Sequence, residues 1–309
     1  MNIIQKFDRY FTNLHKDREN ENRLLMGQIM LEEKRRLWAS DIKFAPPTWD
    51  EFGFKVFSQS NEDGLIQYLI RKTDIPNKTF IEFGVSDYAE CNTRFLLLNN
   101  NWSGFVMDGS EANIKGLVNS PVYWKHDINA AAAFITKENI NELLEKSGFD
   151  KEVGILSIDI DGNDYWVWEA IDCINPRIVI CEYNPIYGGS ISASVPYDKD
   201  FYRTDRHYSN LYWGASLCAY ADLAKRKGYR LVCVNQMGHN AFFVRNDAGC
   251  PLPEVSVKDS YRRMSYRESR DEKGRLTFLS QEEGLKLIEN EMVIDISDGK
   301  MKSIKECIK

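Results

Sequence analysis

The chain has 309 residues, 43% of them hydrophobic and 28% charged, and a formal net charge of −6. Such a composition is that of an ordinary soluble globular protein, and the acidic balance argues against a nucleic-acid partner, which would ask for a basic excess. No apolar run approaches the roughly 18 to 20 residues of a membrane-spanning helix, and the amino terminus lacks the apolar core of a signal peptide, so a cytoplasmic protein without a membrane span is expected.

Residues 1–47 read as an N-terminal helical appendage. Ile3, Ile4, Phe7, Tyr10, Phe11 and Leu14 recur at helical spacing, and Leu24, Leu25, Ile29, Leu31 and Leu37 continue the stripe, before Pro46-Pro47 ends it. An amphipathic stripe without a core of its own must bury against something. A helix lying outside the main sheet is one reading, and a homo-oligomer contact is the other. Residues 48–245 then form the main domain. A helix over Gln59 to Lys72 leads into a strand at Phe80-Ile81-Glu82-Phe83, a turn at Gly84, a helix from Cys91 to Asn99 and a strand from Gly104 to Asp108. A helix from Glu111 to Val118 follows, then a strand-like segment from Val122 to Ile128 and a helix from Ile140 to Lys146. An apolar strand from Gly154 to Asp161, a helix from Asp164 to Ile171 and a buried strand from Arg177 to Glu182 complete the alternation.

Residues 186–211 break that rhythm. The segment is rich in Gly, Ser, Tyr and charge, which suits a lid or binding loop. A helix from Ser216 to Lys227 and strands at Arg230–Val234 and Asn240–Val244 close the domain, the short link between the strands making them antiparallel. Residues 246–309 read as a peripheral tail with a helix near Gln281 to Glu289. The pattern is α/β: a Rossmann-like, seven-stranded, mostly parallel sheet with helices on both faces and an antiparallel last strand. The seven cysteines are scattered and form no CxxC pair, which predicts buried free thiols.

In such sheets ligands bind outside the carboxyl ends of the strands, where Glu82, Asp108, Asp159, Asp161 and Glu182 all fall. The turn after Phe83 reads Gly84-Val85-Ser86-Asp87, without the GxGxxG that brings a helix against a pyrophosphate, which disfavours NAD or FAD. A single turn glycine beside acidic strand ends suits a ligand bearing hydroxyls and an ammonium. A carboxylate at the second strand end can accept from ribose hydroxyls. S-adenosylmethionine is such a ligand.

Glu82-Phe83-Gly84, the Asp108 strand end, Ile158-Asp159-Ile160-Asp161-Gly162 and the closing antiparallel pair together resemble a class I S-adenosylmethionine-dependent methyltransferase. ILSIDIDGNDYWVWEAI is similar to the matching strand and helix of the FkbM-like group, and to that of the macrocin-type sugar O-methyltransferases. The resemblance spans about Gln59 to Arg245. It implies methylation of a hydroxyl of a nucleotide-linked or phosphorylated sugar in a capsule or surface-polysaccharide pathway, with S-adenosylhomocysteine as product. Glu82 and Gly84, with Gln59 nearby, would hold the methionine portion, Asp108 and Gly109 the ribose, and His126 and Asp127 the adenine edge. Asp159 would lie beside the cofactor. The chain departs from the family at Ser86-Asp87-Tyr88, where a third glycine is usual.

Methyl transfer to a hydroxyl needs a group to take its proton, and the candidates are Asp159, Asp161, His207 and His239. Asp159, Glu182 and Asn184 offer oxygen ligands to a divalent cation, so metal-dependent and metal-free routes both stand. Asp161, Glu182, Asn184, Tyr202, Arg203 and Arg206 are candidates for the acceptor, since aromatic faces pack on sugars and guanidinium groups fork onto phosphate. Two rival readings remain: an NAD-dependent sugar oxidoreductase or epimerase, and a non-catalytic assembly protein with the same fold.

Overall fold

The computed structural model describes residues 3–308, of which residues 3–17 are described as helical backbone only. In chain order the strands are β1 (Thr79–Phe83), β2 (Ser103–Asp108), β3 (Ile128–Ala132), β4 (Ile155–Ile158), β5 (Ile178–Glu182), β6 (Ala193–Ser194), β7 (Tyr229–Val234), β8 (Asn240–Arg245), β9 (Met292–Asp295) and β10 (Lys300–Ser303). The α-helices are α1 (Ile3–Trp38), α2 (Glu62–Lys72), α3 (Arg94–Asn100), α4 (Glu111–Val118), α5 (Pro121–Lys125), α6 (Ile140–Glu145), α7 (Asp164–Ala170), α8 (Arg203–Arg206), α9 (Leu217–Arg226), α10 (Val257–Ser260), α11 (Gln281–Ile288) and α12 (Ile304–Cys307).

Among the described residues the main sheet has seven strands in the order β3-β2-β1-β4-β5-β8-β7, and β8 alone runs against the others. The fold is therefore the Rossmann-like α/β sheet with an antiparallel last strand. Its central strands are apolar because helices cover both faces: every residue of β4 and β5 is buried. The chain winds from β1 outward to β3, then returns to the centre at β4, so the direction of winding reverses between β1 and β4. That gap, at the carboxyl ends, is the natural ligand crevice of such a sheet.

The carboxyl half of α1 packs on α2 and α3, burying Leu31 and Trp38. At Gly27 a Cβ would sit 2.6 Å from the Val56 side chain and 2.7 Å from Phe95, so the close approach demands glycine. On the opposite face Leu25, Met26 and Ile29 are exposed. The stripe Ile3, Ile4, Phe7, Tyr10, Phe11 and Leu14 lies outside the residues whose side chains are described.

Two segments differ from the sequence expectation. Val122 to Lys125 is helical, because Pro121 sits at the first position of α5 with its backbone angle already suited to a helix; β3 starts later, at Ile128. Its Asn-Ala-Ala-Ala run has little strand propensity of its own and is held by pairing Gly104 to Asp108 with Ile128 to Ala132. Residues 246–309 are not a peripheral tail. In them β9 pairs with β10 and with β6 of the 186–211 segment. Ile288, Val293 and Ile304 bury against Ile191, Val195, Phe201 and Trp213 in a second small core. Lid and tail make one roof over the strand ends, because neither could bury its apolar side chains alone. The cysteines are free thiols, with Cys91, Cys181, Cys233 and Cys307 buried. No helix among the described residues is long and apolar enough to cross a membrane.

Candidate active site

Gly84 and Asp159 meet at the β1/β4 crevice. Gly84 has φ +70°, and a Cβ there would lie 1.6 Å from the Asp159 carbonyl oxygen, so no other residue fits the turn. Next to it Ser86, also at positive φ, donates its backbone N–H to Asp108 Oδ2 at 2.7 Å, while Ser110 N–H donates to Oδ1 at 2.8 Å. The Ser110 hydroxyl accepts from Asn113 N–H and caps α4. The Asn113 amide also donates to Oδ1 at 3.3 Å, so Asp108 is held by three donors yet only half-buried, and Oδ2, with one partner, keeps lone-pair capacity for a ligand.

Three cavities converge here. The first, about 630 Å³, is lined by Asp108, Gly109, Asn113, Phe134, Tyr202 and Arg203 among others. The second, about 550 Å³, lies between the strand ends and the roof and is lined by Gln59, Glu182, Trp213, Tyr266, Arg267 and Gln281 among others. A third arm of about 260 Å³ runs past Gln59, Glu82, Asp87, Asn92 and Asn240. Gly84 and Asp159 line all of them.

The carboxyl groups of the floor have separate duties. Buried Glu82 accepts from Asn92 N–H at 2.9 Å, Thr93 N–H at 3.1 Å and the Thr93 hydroxyl, fixing the entry to α3; burial raises its pKa and these donors pull it back. Buried Asp164 accepts from Ile160 N–H at 2.7 Å and Gly162 N–H at 2.8 Å, and burial pushes it up to about 6. Asp161, at φ +57°, is exposed and paired with Arg203 at 2.7 Å. Half-buried Asp159 and buried Glu182 lie side by side. Loss of hydration first raises both well above the usual carboxylate range; the negative charges of Asp161 and Asp164 next add to the rise at Asp159, and those of Asp159 and Asp161 to the rise at Glu182. Asp63, beneath the crevice, accepts from the backbone N–H groups of Val56, Phe57 and Ser58, and burial raises it to about 6.

Several expected site residues stand elsewhere. His126 and Asp127 precede β3, whose first residue pairs with Gly104, so they sit at the amino edge of the sheet; Asp127 accepts from Ser103 Oγ at 2.5 Å. Ala133, Phe134 and Ile135, just beyond the carboxyl end of β3, line the first cavity in their place. His239 is buried 3.7 Å from Glu62 in the β7–β8 turn and lines none of the cavities. His207 bonds to Ser209 Oγ at 2.7 Å and stacks on Tyr208, away from them as well. Arg206 is spent on Asp198 and Phe201 within the roof. Asn184 lines the second cavity, but its amide donates to Leu211 O and Trp213 O and its oxygen accepts from Ile186 N–H, so it ties down the lid and has little left for a metal. Among the described residues no group of three or more His, Cys, Asp or Glu side chains has the arrangement to hold a metal ion.

Gln59, Gly109, Tyr202 and Arg203 do line the cavities. Arg203 lies over the Trp213 ring at 4.6 Å while holding Asp161, and Tyr202 packs on Phe134 with ring centres 5.3 Å apart. The sequence reading missed Phe134, Trp213, Tyr266, Arg267 and Glu268. Phe134 had a usable signal, an aromatic directly after the Ala-rich run. The residues at 266–268 had none, since their place depends on how the roof folds back.

No family model matches the chain, and no curated protein matches it. Solved structures similar to it include the N-terminal domain of EvdMO1 with SAH bound, at 9% identity over 70% of this chain and 94% of that one, with a TM-score of 0.39. An O-methyltransferase from Bacillus cereus in complex with SAH matches at 13% identity over 72% of this chain and 89% of that one, TM-score 0.39. An S-adenosylmethionine-dependent methyltransferase from Clostridium acetobutylicum matches at 10% identity over 71% and 98%, TM-score 0.39. Likenesses this distant carry no weight for the chemistry, which rests on the chain's own residues.

Proposed function

We propose that this protein is a methyltransferase that uses S-adenosylmethionine to methylate a hydroxyl of a small sugar acceptor. The observation that carries the reading is the meeting of the cofactor-sized first cavity and the second cavity at one carboxyl group, Asp159, in the crevice where the sheet changes winding direction. The residues present fit the cofactor. Asp108, held by two backbone N–H groups, has lone pairs for a ribose diol. Gly84 leaves open the space that a Cβ would close. Phe134 supplies an apolar face for a base, and the polar arm past Gln59, Asn92 and Asn240 suits an amino-acid end.

The bound cofactor supplies an electrophilic methyl group. What the chain supplies is orientation and proton handling. Asp159 stands where both cavities open and takes the acceptor's proton, its raised pKa making it a better base than an ordinary carboxylate. Tyr266, exposed at the rim of the second cavity, offers a face to a sugar ring. Arg267 has no hydrogen-bond or ion-pair partner among the described residues, which supports an acceptor carrying a phosphate, as a sugar phosphate or nucleotide sugar does. On the exposed face of α1, Leu25, Met26 and Ile29 support a contact between copies, and a dimer is the expected outcome of light scattering.

Calorimetric titration with S-adenosylmethionine, S-adenosylhomocysteine and NAD tests the cofactor; binding of NAD and neither sulfur ligand would sink the proposal. Mass spectrometry after incubation with labelled cofactor and a panel of nucleotide sugars and sugar phosphates identifies the acceptor. Turnover is expected to survive a chelator, because Asn184 is committed to the lid.

A further inference from the structure

Glu182 has a duty that base catalysis by Asp159 alone does not explain. Strands β4 and β5 run in parallel with Ile158 opposite Cys181, so the next residues, Asp159 and Glu182, emerge from the sheet side by side. Both side chains line the second cavity, and neighbouring positions on parallel strands bring their carboxyl groups within reach of each other. Ionised carboxylates only accept hydrogen bonds, so a bond between two of them requires a proton on the pair. The buried Glu182 Oε2 has no N–H or O–H partner among the described residues, and a proton held between the two groups is what satisfies such an oxygen.

The surroundings leave little room for a second negative charge. Asp161 faces the pair from the turn after β4, Asp164 from α7, Glu82 from β1, Tyr220 from α9 and Cys91 from the loop before α3. The cation facing it from α8, Arg203, is already joined to Asp161. Arg263, Arg267, Glu268 and Glu282 look down from the roof across the second cavity; Arg263 is paired with Glu282 and Glu268 with Arg270.

We propose that Asp159 and Glu182 work as one proton-sharing pair, which holds a single proton at rest and accepts a second from the acceptor hydroxyl during turnover. This rests on the methyl-transfer reading. In the step, the acceptor O–H bond breaks and a carboxyl O–H bond forms on the ionised member of the pair. The oxygen lone pair makes the new O–C bond, the C–S electron pair returns to sulfur, and the extra proton leaves to solvent through the second cavity. Glu182 is thereby a catalytic residue with Asp159, and the pair titrates as a unit.

Carbon-13 NMR of the side-chain carboxyl groups in the full chain tests the pair without any turnover. In the wild type the Asp159 and Glu182 resonances are expected to titrate through two common steps. In Glu182→Gln, where the amide can donate to Asp159, the Asp159 resonance is expected to move in one step at lower pH, and the acid limb of turnover to move with it. Asp159 titrating in one step in the wild type, or Asp159 unshifted in Glu182→Gln, overturns the shared proton. If the variant does not fold, the wild-type titration alone decides. Calorimetry with S-adenosylhomocysteine on the same samples separates the two ideas: a paired titration without binding keeps the pair and removes the methyl-transfer reading, whereas binding with independent titrations does the reverse.

Discussion

The floor and the roof of the site are built on opposite principles. The floor is backbone: strand ends whose register sets Asp108, Asp159 and Glu182, and a turn at Gly84 that passes so near the Asp159 carbonyl that a single methyl group has no room. The roof is side chains: a two-residue strand, β6, joined to the β9–β10 hairpin around a small core, and exposed ion pairs such as Arg263 with Glu282. Pairs exposed to that degree contribute about 0–1 kcal/mol each. The difference teaches where chemistry and selectivity should reside. On the proposed function, groups that must hold one geometry sit on the floor, and the groups proposed to read the acceptor sit where substitution costs little stability.

The largest expected effect tests the rigidity of the floor. Gly84→Ala should destabilise the chain by more than about 4 kcal/mol, since it combines a backbone clash with a positive φ. A thermal unfolding midpoint within error of the wild type would show that the turn can move.

Asp159→Asn comes next. Turnover should fall by roughly 100- to 10,000-fold, the usual worth of a positioned proton acceptor, while S-adenosylhomocysteine affinity in calorimetry stays within a few-fold. Asp108→Ala should do the converse and weaken S-adenosylhomocysteine binding by roughly 10- to 150-fold, equivalent to about 1.5–3 kcal/mol for a hydrogen bond to a charged group. An affinity equal to the wild type would leave Asp108 as a cap and no more.

In the roof, Arg267→Ala should raise the acceptor KM by roughly tenfold, about 1.4 kcal/mol, with kcat and the melting temperature unchanged. A fall in kcat with constant KM would move Arg267 from recognition into the chemistry. The smallest effect concerns Asp295, which accepts from Ser297 and pairs with Lys302 at 2.7 Å; those contacts hold its pKa at about 2, below its ordinary 3.8. A lowered folded-state pKa gives stability that is present above about 4 and lost as pH falls through about 2. The gap in melting temperature between wild type and Asp295→Asn should close over that range. A gap that stays constant would mean that the contact is not electrostatic.

Much of the floor was legible in the sequence because it obeys local rules. Apolar strands ending in Glu82, Asp108, Asp159 and Glu182 alternate with helices, and that alternation is enough to specify a parallel sheet and the edge on which its ligands lie. The adenine side was misplaced because β3 carries almost no strand signal. Three alanines pair with β2 only through register, so the sequence pattern puts a strand end at His126 and Asp127, which in fact precede the strand. The histidines His207 and His239 and Arg206 were chosen by residue type, and burial or a nearer partner removed each from the cavities.

By itself, then, the sequence determined the fold class, the strand-end acids and the glycine turn, all consequences of periodicity and of what one residue can do at one backbone angle. Only the tertiary structure decided that the lid and residues 246–309 share a core, that Arg267 faces the second cavity, and that Asp159 and Glu182 leave neighbouring strands side by side. Those are contacts between segments distant in the chain, fixed by strand register and by the burial of apolar faces that neither segment can cover alone.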